Sequence, residues 1–410
     1  MTHLSRLFLP GVAVLTCIAV LAVGWRDIDG ASARSDLALP ELEVVSGARA
    51  GLMVDLIAAE GEIDAAGLAE VSASVVGRVE RGTAGPDARI LHQWPAPYLR
   101  ARIRGGTLFV AFDDAHNRYR IALDEADEFE VLITRPGRKM LRVTGLDPAP
   151  LEIRIDRISE SISAPAALPR VLVPRAADAL PPPEPRPRQI EFIGDSDSVG
   201  YGNLSSSRDC AGDAVFALTD TQAAFGPRVA RRLDADYRIM AHSGLGVVRN
   251  YGAITGEETF VDHYRRTLFD GPDRPQDTDW APQALVLFLG SNDFSDPFEP
   301  SAAWPDRAAL QRAFVAGYAA FIASLRGQYP DALMILLASE SYGEAYLEAH
   351  RSVLAAAKSA GVQRISLHVV PAMKRTGCHW HPSRADHAML TDEILRAIDR
   401  HPDVWTGDAE

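Results

Sequence analysis

The chain has 410 residues, of which 47% are hydrophobic. This length exceeds what most single hydrophobic cores accommodate, and it predicts two domains with a sizeable core in each. The formal net charge of −13 argues against a general nucleic-acid-binding protein, because no basic surface is left to neutralise phosphates.

Residues 1–33 predict a signal peptide or a membrane anchor. A weakly basic start leads into the apolar run 7–24, and the small residues 31–33 offer a cleavage site. Since the run reaches the lower length for spanning a bilayer, about 17 residues, an uncleaved anchor is the alternative. Cys17 is a poor lipoprotein site, because Thr16 precedes it and further apolar residues follow. We therefore expect an exported protein that is periplasmic, secreted or anchored to the membrane.

Two regions of different pattern follow. Residues 34–69 show few periodic apolar stretches, and we expect a lead-in segment there. Between 70 and 180, short alternating runs are separated by polar or glycine-containing turns, with no helical pattern between them. Several short strands at this spacing predict an all-β sandwich. The runs lie at 101–103, 107–112, 119–123, 128–134, 139–143 and 151–155.

A proline-rich linker at 181–188 marks the boundary to the second domain, and its composition predicts a stiff connection. From 189 to 405 strands alternate with helices, which is typical of a parallel sheet covered on both faces. The second domain is therefore predicted to be α/β. Its strands are expected near 190, 238, 286, 334 and 367, and its helices near 221–234, 307–327, 343–360 and 384–399.

A serine follows the first strand of this domain. Ser196 comes after the apolar stretch 190–193 and the pair Gly194-Asp195, where a sharp turn can expose its hydroxyl. A serine hydroxyl is a poor nucleophile at neutral pH, so chemistry here requires a base and donors for an oxyanion. Taken alone, the motif is more often a plain turn.

Three further motifs occupy comparable places. Ser243–Gly246 follows the strand near 238, Gly290–Asp293 follows the strand near 286, and His381 lies on a loop that enters the last helix. Ligands of an open parallel sheet bind beyond the carboxyl ends of its strands. These motifs can therefore converge with Ser196, although they are far apart in the chain.

Serine, glycine, asparagine and histidine in this order resemble the conserved blocks of the SGNH or GDSL hydrolase superfamily. The extensions at 200–203, 243–251 and 377–382 make the chain most similar to carbohydrate esterase family 2, over roughly residues 70–400. The resemblance implies a flavodoxin-like SGNH catalytic domain preceded by a jelly-roll sandwich. It also implies an enzyme that removes acetyl groups from polysaccharides such as xylan or glucomannan.

The resemblance assigns roles to individual residues. Ser196 would be the nucleophile and His381 the base that takes its proton. The oxyanion hole would use the backbone N–H groups of Ser196 and Gly246 and the side-chain amide of Asn292, with Gly244 as a substitute for Gly246.

An aromatic residue adjoins the base. By resemblance, Trp380 would stack on a sugar ring. For the other candidates in the pocket wall, ordinary packing is an equal alternative. They are Tyr201, Arg249, Asn250 and Tyr251.

One position departs from the superfamily pattern. An aspartate usually shortly precedes the histidine, and His379 stands in its place here. Such a carboxylate fixes the imidazole tautomer, but a backbone carbonyl can accept the same Nδ1–H bond. We therefore expect a Ser196–His381 dyad, with Asp386 as a weaker candidate for the carboxylate. Asp197, where a small or apolar residue is common, can discourage anionic substrates.

Cys210 and Cys378 are the cysteines outside the N-terminal segment, and export favours their pairing. Cys210 follows the nucleophile loop and Cys378 precedes His381 by three residues, so a disulfide would tie two halves of the site together. Two buried free thiols are the alternative, since sequence alone gives no distance.

We expect an exported serine esterase that deacetylates an oligo- or polysaccharide through an acyl-enzyme, without a cofactor. One alternative is an esterase or acyltransferase that acts on a bacterial envelope glycan, and another is a non-catalytic glycan-binding protein that retains the fold. No metal site is expected, because the histidines at 379, 381 and 387 have no convincing companion ligand except Cys378.

Overall fold

The computed structural model describes residues 39–46, 51–58, 67–82, 89–124, 129–160, 164–252, 257–273 and 280–405. The predicted signal peptide or anchor lies outside the described residues. The described residues all belong to one compact unit, in which an antiparallel β part precedes an α/β part.

Antiparallel strands build the N-terminal part. They are β1 Leu42–Ser46, β2 Met53–Ala58, β3 Ala69–Glu70, β4 Ala73–Val76, β5 Val79–Arg81, β6 Ile90–His92, β7 Tyr98–Ile103, β8 Thr107–Asp114, β9 Arg118–Leu123, β10 Glu130–Thr134, β11 Gly137–Thr144, β12 Leu151–Arg157, β13 Ala166–Ala167, β14 Arg170–Val173 and β15 Ala179–Leu180. One sheet has the order β1-β10-β9-β12-β7-β15, with β4 also paired to β7, and a second has the order β2-β11-β8-β14-β3. A small third sheet has the order β13-β6-β5.

The two large sheets pack face to face. Along β10 and β12, buried residues alternate with half-buried ones, as expected of a strand with one face in a core. Ile121 and Ile153 of one sheet share a core with Val110 and Leu141 of the other. The prediction of an all-β sandwich is confirmed.

The sandwich begins earlier than the sequence predicts. The segment 34–69, expected to be a lead-in, contains β1 and β2, which pair with β10 and β11 at the sheet edges. Both strands carry exposed apolar residues beside an exposed charged one, Glu43 in β1 and Asp55 in β2. Val44, Val45, Met53 and Ile57 are exposed, so the alternation by which a strand is recognised is absent.

The C-terminal part is a parallel sheet with helices. Its strands are β16 Arg188–Gly194, β17 Ala235–Ala241, β18 Ala284–Phe288, β19 Leu333–Ser339 and β20 Ile365–Val370, and its helices are α1 Ser196–Val199, α2 Gly212–Leu218, α3 Phe225–Arg232, α4 Phe260–Tyr264, α5 Arg307–Gln328, α6 Glu344–Ser359 and α7 Arg384–Asp399. The strand order is β17-β16-β18-β19-β20. This is the flavodoxin-like order 2-1-3-4-5, which confirms the predicted fold.

Two of the inner strands of this sheet are buried over their whole length. Every residue of β18 and β19 is buried, as in parallel sheets that are covered on both faces. α3 packs against α7, and α5 packs against α6. Within the described residues, α5 alone is long and apolar enough to cross a membrane, but its residues Phe314, Tyr318 and Ile322 are buried in the core.

Buried polar contacts join the two parts. Tyr98 of the sandwich donates a hydrogen bond to Oδ1 of Asp236 at 2.5 Å. Arg78 lies 3.8 Å from the buried carboxylate of Glu191 on β16. Such contacts are directional and hold the sandwich in one orientation, so that it can contribute side chains to a site in the second part.

Candidate active site

The parallel sheet reverses its strand order beside β16. The residues that follow Gly194 therefore stand at the switch point, where ligands bind in sheets of this kind. Asp195 caps α1, since its Oδ1 accepts a hydrogen bond from the N–H of Asp197 at 3.0 Å. Ser196 is the first residue of this helix, where backbone N–H groups have no acceptor within the helix.

Ser196 and His381 form a hydrogen-bonded pair. Oγ of Ser196 lies 2.9 Å from Nε2 of His381, and Nδ1 of the same ring lies 2.9 Å from the carbonyl oxygen of Cys378. Since a carbonyl only accepts, the imidazole carries its proton on Nδ1, and Nε2 is left to accept the serine proton. The backbone therefore orients the base, as expected for a dyad.

Two charged groups next to His381 act on it in opposite directions. Burial lowers the pKa of His381, Asp197 acts to raise it, and Arg375 acts to lower it. The ring is therefore neutral at neutral pH, as a general base must be. Asp197 is buried and lies 2.8 Å from Arg375. Although burial favours its protonated form, the guanidinium holds the pKa of Asp197 below its ordinary value. Because this charge is paired inside the protein, the expected effect on anionic substrates is not supported.

Arg375 is a site residue that the sequence does not reveal. Its guanidinium donates to Asp197, to Oη of Tyr342 at 2.7 Å and to the carbonyl oxygen of Trp380 at 2.6 Å. It thereby connects the helix of Ser196 to the loop of His381. An arginine in a loop is ordinarily exposed, so its sequence context gives no signal.

Asp386 does not complete a triad. Its carboxylate accepts hydrogen bonds from the N–H and Oγ of Ser383 and from the N–H groups of Lys374 and Arg375, all between 2.8 and 3.0 Å. It is part of the capping box of α7. Within the described chain, no hydrogen bond joins it to His381.

Backbone N–H groups meet at the nucleophile turn. The N–H of His242 contacts the carbonyl oxygen of Gly194 at 3.4 Å, which brings the following residues next to this turn. Among the hydrogen bonds of the described residues, neither Ser196 N–H nor Gly244 N–H has an acceptor. Gly244 has a φ of +84°, which favours glycine, and open space where a Cβ would lie.

The Gly246 assignment needs correction. Its N–H donates to Oδ1 of Asn250 at 3.1 Å and is not available to an oxyanion. Glycine is required there for packing, because a Cβ would lie 2.0 Å from the carbonyl oxygen of Arg249 and 2.6 Å from Oδ2 of Asp293. Gly244, the expected substitute, is the donor that the geometry favours.

Asn292 lies beside the same turn. Its Nδ2 donates to the carbonyl oxygen of Leu245 at 2.8 Å and lies 3.5 Å from Oδ2 of Asp195. A primary amide has two N–H bonds, so the hydrogen that does not bind Leu245 has only a long contact within the protein. This hydrogen can serve an oxyanion.

Aromatic side chains border the dyad. Trp380 is 61% exposed, and the guanidinium of Arg208 lies 3.5 Å from its ring centroid. Tyr201 packs on His381 with ring centroids 4.2 Å apart, and its hydroxyl donates to Nδ1 of His379 at 3.0 Å. Nε2 of His379 in turn donates to the carbonyl oxygen of Cys210 at 2.7 Å. His379 thus supports the loop and does not contact the nucleophile.

The other pocket candidates differ in their surroundings. Tyr251 is 52% exposed. Arg249 is buried and donates hydrogen bonds to carbonyl groups of the segment 292–297. The side chain of Asn250 accepts from the N–H of Gly246 and donates to the carbonyl oxygen of Glu258. Arg249 and Asn250 therefore shape the loops. In the described chain, no group of three or more His, Cys, Asp or Glu residues is placed to hold a metal ion.

A disulfide connects the loops of the nucleophile and the base. Cys210 and Cys378 are bonded, with Cα atoms 5.4 Å apart. The N–H of Cys378 also donates to the carbonyl oxygen of Gly202 at 3.2 Å. A Cβ on Gly202 would lie 2.3 Å from Cβ of Cys378, so glycine permits this close approach.

Known proteins share this two-part organisation. Residues 75–183 match the family described as Carbohydrate esterase 2 N-terminal, and residues 190–394 match GDSL-like Lipase/Acylhydrolase. Together with the strand order, these matches define the chain as a hydrolase of the GDSL-like, or SGNH, class.

Relatives narrow this class to one family. An acetylxylan esterase / glucomannan deacetylase of Cellvibrio japonicus (strain Ueda107) is 34% identical over 314 residues, which cover 77% of this chain and 86% of the relative. A solved carbohydrate esterase, whose active site displays divergent catalytic and non-catalytic binding functions, has a TM-score of 0.75 at 31% identity and covers 82% of this chain and 100% of its own. The chain belongs to carbohydrate esterase family 2 and is a carboxylic ester hydrolase. A family two carbohydrate esterase from Clostridium thermocellum, in complex with cellohexaose, shares the fold at 23% identity, with a TM-score of 0.67 over 81% of this chain and 100% of its own.

Proposed function

We propose that this carbohydrate esterase is an exported acetylesterase with Ser196 as nucleophile and His381 as base. The observation that carries the proposal is the 2.9 Å hydrogen bond between Ser196 Oγ and His381 Nε2, on a ring whose Nδ1 is held by Cys378. This geometry lets a hydroxyl transfer its proton while it attacks a carbonyl.

The reaction proceeds in two acyl transfers. Oγ of Ser196 attacks the acetyl carbonyl carbon, and its proton passes to Nε2 of His381. The tetrahedral intermediate collapses by breaking the bond to the sugar oxygen, which takes the proton from His381. Water then attacks the acetyl-enzyme with the same base, and acetate leaves as Ser196 regains its proton.

The oxyanion forms between three donors. They are the backbone N–H groups of Ser196 and Gly244 and the N–H of the Asn292 amide that does not bind Leu245. Donors fixed in place before the reaction stabilise charge that develops in the transition state, and each is worth about 10²–10³ in kcat.

An acetylated polysaccharide of the xylan or glucomannan type is the proposed substrate. The exposed indole of Trp380 next to the base offers a stacking surface for a pyranose ring. The Cellvibrio japonicus relative carries the corresponding name. Asp197 and Arg375 neutralise each other in a buried ion pair next to the dyad, and this suits a neutral sugar.

Export is the second element of the proposal. The apolar run 7–24 with a basic start is typical of a signal segment. The Cys210–Cys378 disulfide suits an oxidising compartment. Export is tested by cell fractionation, together with mass spectrometry of the N-terminus to detect processing. An unprocessed protein in the cytoplasm would refute export.

Hydrolysis of p-nitrophenyl acetate by the wild type and by Ser196→Ala tests the nucleophile. Ser198→Ala is the matched control, because this buried hydroxyl lies on the same short helix and has no hydrogen-bond partner among the described residues. We expect Ser196→Ala to lose roughly 10⁴-fold or more in kcat and Ser198→Ala to stay near the wild type. An inactive wild type would favour a non-catalytic glycan-binding protein.

Acetate release distinguishes the substrates. The wild type is expected to release acetate from acetylxylan or acetylated glucomannan faster than from an acetylated envelope glycan, and the opposite preference would refute the substrate assignment. Trp380→Ala should raise KM for the polysaccharide and leave KM for p-nitrophenyl acetate unchanged, since the small ester does not need a stacking surface.

A further inference from the structure

Hydrogen bonds hold Ser243 on both sides of its Cα atom. Ser243 N–H donates to Oε1 of Glu160 at 2.8 Å, and Ser243 Oγ donates to Oε2 of the same carboxylate at 2.5 Å. Nδ1 of His242 donates to the carbonyl oxygen of Ser243 at 2.9 Å. The N–H, hydroxyl and carbonyl groups of Ser243 therefore all have fixed partners.

Glu160 belongs to the sandwich and not to the α/β part. It follows the last residue of β12 by three positions. The residues before it are anchored, because Ile158 N–H donates to the carbonyl oxygen of Arg118 at 2.9 Å and Ser159 Oγ donates to Oδ1 of Asn117 at 3.0 Å. The sandwich thus delivers a well-placed carboxylate to the rim of the dyad.

A second contact fixes the segment across the domain boundary. The carbonyl oxygen of Ile158 accepts a hydrogen bond from the N–H of Thr221 in the α/β part at 2.9 Å. Glu160 also lies near Tyr201, which packs on His381. The pKa of Tyr201 is raised to about 12, mainly by burial and next by the negative charge of Glu160.

We propose that Glu160 is a positioning residue, through which the sandwich orients the Gly244 N–H toward the oxyanion. This inference rests on the esterase function proposed above. The Gly244 N–H and the Ser243 carbonyl belong to one planar peptide group, whose carbonyl oxygen is held by His242. Glu160 holds the N–H and Oγ of Ser243 on the other side of the Cα atom, and it thereby restrains the residue from which this peptide group extends. Preorganised donors of this kind account for much of the stabilisation of acyl-transfer transition states.

Hydrogen bonding, and not charge, is the useful property of Glu160. A negative charge close to a developing oxyanion opposes its formation. A glutamine at this position can accept from Ser243 N–H through its carbonyl and donate to Ser243 Oγ through its amide. Glu160→Gln therefore keeps the geometry and removes the charge.

The experiment compares Glu160→Ala and Glu160→Gln with the wild type and with Glu152→Ala. Glu152 lies on β12 of the same sandwich and pairs with Arg100, so its removal controls for the loss of an ion-paired sandwich carboxylate. Measurements are kcat and KM for p-nitrophenyl acetate, the inhibition constant of methylboronic acid, which forms a tetrahedral adduct on a serine, and the thermal midpoint.

We expect Glu160→Ala to lower kcat by about tenfold or more, which is less than the effect of losing a complete oxyanion donor. The inhibition constant of methylboronic acid should rise by a similar factor, while KM stays nearly constant. Glu160→Gln and Glu152→Ala should retain most of the wild-type kcat. If Glu160→Ala does not fold, Ser243→Ala, which removes one of the two bonds to the carboxylate, should show a smaller loss of the same kind.

Three results would overturn the inference. A folded Glu160→Ala with wild-type kcat would show that Glu160 does not position the donor. An effect on KM alone would make it a substrate contact, and a Glu160→Gln as poor as Glu160→Ala would make its charge the essential property. In each case, wild-type activity that is lost in Ser196→Ala still supports the esterase function. An inactive wild type would refute that function itself.

Discussion

The carbonyl oxygen of Cys378 lies 2.9 Å from Nδ1 of His381 and takes the hydrogen bond that an aspartate takes in a Ser-His-Asp triad. Cys378 is also one half of the disulfide to Cys210. One residue therefore orients His381 and fixes the loop on which this histidine lies. A neutral carbonyl stabilises an imidazolium less than a carboxylate does, and the buried Asp197 supplies a negative charge nearby.

His379→Ala should retain most of the activity, and His381→Ala should lose most of it. The first side chain contacts Tyr201 and the carbonyl oxygen of Cys210, whereas the second is the proton carrier. Measurement of kcat/KM on one acetylated substrate compares them on the same loop. Equal losses would mean that the base is wrongly assigned.

Asp386→Asn should mainly reduce stability. The carboxylate caps α7, and loss of a capping residue costs roughly 0.5–2 kcal/mol. Thermal unfolding and kcat measured on the same preparation separate the two effects. A fall in kcat that approaches that of His381→Ala, with the fold intact, would restore a triad.

Asp197→Asn should move the acidic limb of the kcat/KM profile to lower pH. The reaction needs neutral His381, so activity is present above its pKa and lost as the pH falls through it. Asp197 acts to raise that pKa, and its removal therefore lowers it further. Arg375→Gln should shift the limb to higher pH, because the guanidinium acts to lower the same pKa. Shifts of both variants in one direction would contradict this electrostatic account.

Gly244→Ala and Gly246→Ala should fail in different ways. At 244 no atom obstructs a Cβ, but the positive φ costs about 1–2 kcal/mol for an L-residue, so we expect a lower kcat with a modest change in stability. At 246 the Cβ would collide with backbone and with Asp293, so the thermal midpoint should fall strongly. A stable Gly246→Ala with reduced kcat would return the donor role to Gly246.

Reduction of the disulfide should lower both stability and turnover. A bridge of this kind contributes about 2–4 kcal/mol, and it holds the loop that carries His381 and Trp380. Thermal midpoint and kcat are measured with and without dithiothreitol. The double variant Cys210→Ala/Cys378→Ala is the control, and its properties should not respond to the reductant. Unchanged kcat in the reduced wild type would show that the bridge does not position the base.

Sequence patterns predict the α/β fold, the sandwich and the candidate pair Ser196 and His381. Apolar runs of fixed period define strands and helices locally, and the carboxyl ends of parallel strands meet at one edge. A nucleophile and a base at those ends are therefore visible without coordinates. The early strands β1 and β2 are not, because their exposed positions mix apolar and charged residues, and they are defined by their partners β10 and β11.

Which backbone groups can serve the site depends on contacts in the folded chain. Gly244 and Gly246 follow the same strand, and they differ because Asn250 accepts the N–H of Gly246, whereas that of Gly244 has no acceptor among the described residues. The roles of Arg375 and Glu160 likewise depend on atoms distant in the chain, one linking Asp197 to Trp380 and the other reaching Ser243 from the sandwich. Hydrogen-bond partners are chosen by distance and direction in the folded chain, which periodicity and motif order do not encode.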